Sequence, residues 1–184
     1  MKILHIDSSI NGANSVSRTL SRSTVEQLKA ANPHAKIDRR DLGAQPLAHF
    51  TLDAFADHSI VDEFLAADTV VIGAPMYNFG VPSQLKAWMD RIAIAGKTFR
   101  YTENGPEGLA GKKKVIIASS RGGFFGPGSP AASLDHQESY LRSFFGFLGV
   151  TDIHFIRAEG IAMGAEAREK AIADAQNEVR KLAA

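Results

Sequence analysis

The run Thr69-Val70-Val71-Ile72 constrains this chain more than any other segment. A short continuous apolar stretch of this kind reads as a buried strand, and it stops at Pro75. The residues beyond it, Ala74-Pro75-Met76-Tyr77-Asn78-Phe79-Gly80-Val81-Pro82, read as a loop, with a helix starting just after Pro82. In an open α/β sheet, ligands lie in the crevice outside the carboxyl ends of the strands. The loop therefore stands where a ligand would sit. Tyr77 and Phe79 offer ring faces, and Asn78 and the backbone offer hydrogen bonds to the heteroatoms of a flat ring.

The rest of the chain alternates strand-like and helix-like segments. Strands are predicted over 2–7, 36–40, 68–74, 114–119 and 151–158, and helices over 17–32, 57–66, 83–95, 136–148 and 165–182. Residues 41–56 and the Gly/Pro/Ser-rich 120–134 read as loops. The charges of Lys36, Asp38, Arg39 and Arg40 suit an edge strand. Leu85, Trp88, Met89 and Ile92 form one helical stripe, with Gly96 as its C-cap. Asp135 with Glu138 resembles a capping box, and a Glu166–Lys170 pair faces outward on the last helix. This βα alternation predicts a parallel sheet with helices on both faces. With 184 residues and 45% hydrophobic content, the chain (residues 1–184) makes one domain with a real core. Five strands in such a domain are most simply a flavodoxin-like three-layer sandwich with strand order 2-1-3-4-5.

The loops after strands one, three and four meet on one edge of such a sheet. The first, residues 8–17, holds four serines, two asparagines and a glycine, with no acidic residue between Asp7 and Glu26. Hydroxyls and free amides at a helix N-terminus make a phosphate cradle, with Arg18 as a nearby cation. Taken alone, an N-capped helix with a polar turn explains the same residues equally well. Neither standard glycine-rich nucleotide signature is present in this loop. A phosphate held by hydroxyls rather than glycines points to a mononucleotide, FMN rather than NAD, as resident ligand. The third loop, Ser119-Ser120-Arg121-Gly122-Gly123-Phe124-Phe125-Gly126, offers a glycine pair for close backbone approach and two rings to wall a pocket.

These segments resemble the FMN-dependent NADH-azoreductases, members of the flavodoxin-like quinone reductases. The resemblance rests on Ser9 with Ser15-Val16-Ser17, on Pro75-Met76-Tyr77-Asn78-Phe79 and on Ser120-Arg121-Gly122-Gly123. It extends to Pro82–Arg91 and to Asp135–Leu141 with Phe144–Gly149, in the same order along the chain. It implies tightly bound FMN, with the phosphate at Ser9, Ser15, Val16 and Ser17. The isoalloxazine would be lined by Met76, Tyr77, Asn78 and Phe79 and edged by Ser120, Arg121, Gly122 and Gly123. It implies a homodimer with active sites at the interface, and ping-pong reduction of quinones and aromatic azo compounds with NADH or NADPH as donor. Because the flavin carries the redox chemistry, no side chain is expected to be catalytic in its own right. Phe79, Phe99, Tyr101, Phe124 and Phe125 are candidates to wall the acceptor pocket. The stretch between residues 41 and 68 is short for the family, and in such enzymes that region helps form the partner side of the pocket.

A non-catalytic flavodoxin-type FMN electron carrier is the alternative, but carriers dock partners through an acidic surface and this chain has a formal net charge of +1. The same balance gives no electrostatic footprint for nucleic acid or an anionic membrane. No apolar run approaches the roughly 18 residues that span a bilayer, and the N-terminus does not read as a signal peptide, so a cytoplasmic location is expected. The absence of cysteine excludes disulfides and thiolate catalysis. The six histidines lack metal-ligand spacing, and no G-x-S-x-G nucleophile elbow occurs.

Overall fold

The computed structural model describes residues 1–182. Its strands are β1 (Lys2–Asp7), β2 (Lys36–Asp41), β3 (Thr69–Pro75), β4 (Phe99–Thr102), β5 (Gly105–Gly108), β6 (Lys114–Ser120) and β7 (Asp152–Ala158). Its helices are α1 (Val16–Ala31), α2 (Leu52–Ala56), α3 (Ser59–Ala66), α4 (Ser83–Ile92), α5 (His136–Phe147) and α6 (Ala165–Lys181). Five strands form a parallel sheet in the order β2-β1-β3-β6-β7, the predicted flavodoxin-like order.

Alternation along the central strands divides the core into two layers, because successive side chains point to opposite faces. Leu4, Ile6, Val70, Ile72, Val115 and Ile117 pack toward α3, α4 and α5 with Phe64, Trp88 and Phe145. Ile3, Val71, Ile116 and Ala118 pack toward α1 and α6 with Leu20, Leu28 and Val179. Every residue of β3 is buried. β2 pairs only with β1 and none of its residues is fully buried, as its charges predict for an edge.

The structure corrects several local expectations. Residues 52–56 form a short helix inside the stretch read as loop, started by Thr51, whose hydroxyl accepts from the Ala54 amide at 3.2 Å. So short a helix carries no apolar periodicity to reveal it. α4 ends at Ile92 rather than at 95, because the buried Thr98 hydroxyl donates to the Ile92 carbonyl (2.6 Å) and accepts from the Ile94 amide (3.0 Å). Gly96, with φ +81°, belongs to the turn beyond. The antiparallel hairpin β4–β5 is an element the sequence reading lacked. Asp135 does cap α5, accepting from the Gln137 (3.1 Å) and Glu138 (2.9 Å) amides, but the Glu138 carboxylate turns to Arg157 and Arg142 instead of closing a capping box. On α6, Lys170 pairs with Asp174 rather than Glu166.

Candidate flavin site

Three loops leave the carboxyl edge of the sheet side by side. After β1, the Ser8 hydroxyl donates to the Gly73 carbonyl at 2.7 Å, tying the loop to β3. Ser15 then caps α1, its hydroxyl accepting from the Arg18 amide at 3.2 Å and lying 3.1 Å from Ser17 Oγ. A helix leaves its first amides without intrahelical acceptors. Ser15 satisfies those of Arg18 and Thr19, so the amides of Val16 and Ser17 remain at the positive end of the helix dipole. Ser9 Oγ accepts from the Asn11 amide at 3.2 Å. Hydroxyls and helix-end amides together make a donor set for a phosphate.

Charged residues brace this loop from beneath. Asp7 is fully buried and receives Ser21 Oγ at 2.8 Å and Arg39 at 2.9 Å. Burial opposes its ionisation, but the buried His5, then Arg39 and Ser21, outweigh that and hold its pKa down at about 2. Arg18 pairs with Asp41 and donates to the Ser9 carbonyl at 3.2 Å. The cation that the sequence placed near a phosphate is thus engaged by carboxylates, and its role is to hold Ser9. Gly43 seats the end of β2 against the same loop, where a Cβ would fall 2.2 Å from the Ser9 carbonyl oxygen.

After β3 the chain makes a two-residue turn. Tyr77 and Gly80 exchange both backbone hydrogen bonds, at 3.1 and 3.0 Å, and Asn78 and Phe79 have φ of +47° and +70°. A turn with both central residues at positive φ is of type I′ and favours Asn-Gly. Here a phenylalanine occupies the second place, at a real conformational cost. Phe79 is 42% exposed, so core packing does not account for it. Strain of this kind gathers at ligand sites.

The three loops are joined to one another. Tyr77 Oη lies 3.3 Å from Ser9 Oγ and accepts from the Ile10 amide at 3.2 Å. The Met76 amide donates to the Ser120 carbonyl at 2.8 Å, and Phe79 meets Phe125 edge to face at 5.9 Å. A cavity of about 560 Å³ opens beside the turn, lined by Gly80, Val81, Lys86, His136 and Tyr140.

Not every candidate faces this mouth. Arg121 is fully buried and is held by Asp135 (2.8 Å), Glu138 and Glu159 (both 3.3 Å), while its amide donates to Ala158. It braces the third loop from within. The carbonyls of Gly122 and Gly123 are tied to the Ala162 and Gly160 amides. Phe124 lies over Gly160 and lines a different groove with Arg157 and Glu159, so only Phe125 of the pair stands by Phe79. Phe99 and Tyr101 sit on the β4–β5 hairpin near Phe147, beside the last turn of α5 and away from this mouth. Asp7 and Gln137 were not among the candidate site residues: the signal of Asp7 was a carboxylate ending an apolar strand, and Gln137 stood only within the Asp135–Leu141 segment that carries the family resemblance.

Fold and loops together define a flavodoxin-like protein with a candidate mononucleotide cradle, and the family model for the flavodoxin-like fold matches residues 1–183. The FMN-dependent NADH:quinone oxidoreductase of Bradyrhizobium sp. is 55% identical over 201 residues, covering 100% of both chains. The azoreductase crystal structure from Bacillus anthracis str. Sterne superimposes with a TM-score of 0.90 at 28% identity, covering 100% of this chain and 98% of that one. The FMN-dependent NADH-azoreductase of Bacillus anthracis str. Ames Ancestor, in complex with FMN, gives 0.88 at 26%, covering 99% and 97%. The chain belongs to the family of FMN-dependent NADH:quinone oxidoreductases and azoreductases. The 201 aligned positions exceed the 184 residues here, so the Bradyrhizobium relative carries segments that this chain lacks.

Proposed function

We infer that the protein is an FMN-dependent NADH:quinone oxidoreductase that also reduces aromatic azo compounds. The observation that carries this reading is the strained, exposed Asn78-Phe79 turn, which is joined to a hydroxyl-lined helix N-terminus through Tyr77. That pairing suits a flat ring at one end and a phosphate at the other. The chemistry FMN supplies when bound is two-electron transfer from NADH to the acceptor in alternating half-reactions.

The chain's own residues bind, orient and exclude water. Ser9, Ser15 and Ser17 with the Val16 and Ser17 amides hold the phosphate. Met76, Tyr77, Asn78 and Phe79 line the ring system. Ser120, Gly122 and Gly123 edge it through the backbone, with Arg121 bracing that edge from below. The backbone amides of the second and third loops would donate hydrogen bonds to the polar edge of the ring. A homodimer completes the pocket: the 75% exposed Tyr101 on the β4–β5 hairpin is free to reach a second copy, and so are Phe50, Leu52 and Phe55. The use of NADH fits a cytoplasmic location. A flavodoxin-type carrier is disfavoured by the near-neutral charge and by the family relationship.

The test is an absorbance spectrum of protein mixed with FMN and desalted, followed by anaerobic NADH. Flavin bands that persist and then bleach on NADH support the oxidoreductase. Flavin that stays oxidised with both NADH and NADPH points to the carrier, and loss of flavin on desalting leaves only the fold.

A further inference from the structure

We propose that Gln137 is a positioning residue that sets the mutual placement of the second and third loops, and through it the affinity and redox behaviour of the flavin. The proposal rests on the FMN reading above. Gln137 lies in the first turn of α5 and is fully buried. Its Nε2 donates to the carbonyls of Pro75 (2.8 Å) and Ala74 (3.3 Å), and its Oε1 accepts from Ser119 Oγ at 2.8 Å. Ser119 Oγ in turn accepts from Arg121 Nε at 3.1 Å.

The chemistry of the partners fixes the direction of this chain. Carbonyls only accept and a guanidinium only donates, so the order Arg121 to Ser119 to Gln137 to Pro75 admits no flipped amide. Hydrogen bonds aligned head to tail in a buried site reinforce one another.

The location gives the network its purpose. β1 pairs with β3 only as far as Gly73, so the end of β3 runs on beyond that neighbour. Gln137 supplies donors to its last two carbonyls. Pro75 is the residue from which the Met76–Phe79 turn departs, and Ser119 is the one from which Ser120–Gly123 departs. One side chain therefore links the roots of both loops proposed to hold the isoalloxazine. Backbone bonds flank it, from the Met76 amide to the Ser120 carbonyl (2.8 Å) and from the His136 amide to the Phe79 carbonyl (3.1 Å). These preserve the fold when the side chain is changed, while the relative placement of the loops relaxes.

The experiment uses the full chain, stripped of flavin and titrated with FMN. Gln137→Leu removes both donor and acceptor, Gln137→Glu keeps the shape but sets an acceptor against the Pro75 carbonyl, and Ser119→Ala removes one link. The readouts are FMN affinity by fluorescence quenching, the visible spectrum and midpoint potential of bound flavin, and kcat and KM for benzoquinone. Circular dichroism reports the fold. Gln137→Leu and Gln137→Glu are expected to weaken FMN at least tenfold, to shift the flavin bands and to lower kcat, with KM for benzoquinone within twofold. Ser119→Ala is expected to act in the same direction by about threefold, and combining Ser119→Ala with Gln137→Leu is expected to add nothing to Gln137→Leu alone. A folded Gln137→Leu protein with wild-type affinity, spectrum and potential overturns the proposal. If that variant does not fold, a Ser119→Ala protein with wild-type affinity and spectrum overturns it equally. Wild-type protein that retains no FMN is a separate result, which removes the parent reading and this proposal together.

Discussion

The phenol oxygen of Tyr77 lies 3.3 Å from Ser9 Oγ, so a side chain leaving β3 reaches the loop that leaves β1, 68 residues earlier in the chain. The same oxygen accepts from the Ile10 amide at 3.2 Å. Tyr77 therefore links the turn proposed to hold the ring with the loop proposed to hold the phosphate. Tyr77→Phe keeps the ring face and removes that link. A neutral hydrogen bond contributes about 1 kcal/mol net, which is roughly fivefold in affinity. The expected result is a thermal midpoint of the FMN-free protein lowered by about 2–4 °C, together with an FMN dissociation constant raised up to about fivefold, read by flavin fluorescence.

Phe79→Gly separates strain from function. A left-handed residue other than glycine costs roughly 1–2 kcal/mol, and glycine in exchange costs roughly 0.5–1 kcal/mol of backbone entropy. The relief offsets that entropy and the loss of the edge contact with Phe125. The FMN-free protein is expected to keep or raise its thermal midpoint while kcat/KM with benzoquinone falls at least tenfold. A loss of stability with activity intact would show that the ring serves packing.

Asp7 predicts an acid limb in stability. Its folded pKa of about 2 lies below the ordinary value of 3.8, so its contribution is fully present above about pH 4 and is lost as pH falls toward 2. The difference corresponds to about 2 kcal/mol. Asp7→Asn is expected to lower stability at pH 7 by an amount of that order, and its gap from wild type to close between pH 4 and 2 in urea denaturation. A gap independent of pH would assign the effect to packing alone.

Arg91 holds the segment that follows β2. It is buried, donates to the Ala48 carbonyl at 2.8 Å and lies 5.7 Å over the Phe50 ring. Arg91→Met is expected to raise amide hydrogen exchange across residues 44–57 and to change KM for bulky azo acceptors more than for benzoquinone. Exchange that stays at the wild-type level there would show that the segment is held by other contacts.

The fold was legible because its evidence is local and periodic. Val70, Val71 and Ile72 mark a strand buried on both faces, and Lys36, Asp38 and Arg39 mark an edge. βα alternation with right-handed crossovers then leaves few sheet orders. The misjudged helix end at Ile92 was decided by Thr98, whose hydroxyl reaches back across a turn. The hairpin β4–β5, with glycine at both ends of its second strand, has no apolar alternation to betray it.

By itself the sequence determined which loops form the candidate site and which groups they bring: serine hydroxyls, an aromatic turn and a backbone-rich third loop. Those are properties of residue type and of position at strand ends. Tertiary structure decided what each side chain does there. Arg18 read as a cation near a phosphate and Arg121 as part of the ring's edge, yet Arg18 is engaged by Asp41 and the Ser9 carbonyl and Arg121 is buried among Asp135, Glu138 and Glu159. Gln137 stood only as one residue of a segment resembling the family, yet it links the roots of two loops. A charge or an amide carries no record in the sequence of the partner that will neutralise it, because that partner lies tens of residues away and meets it only when the sheet closes.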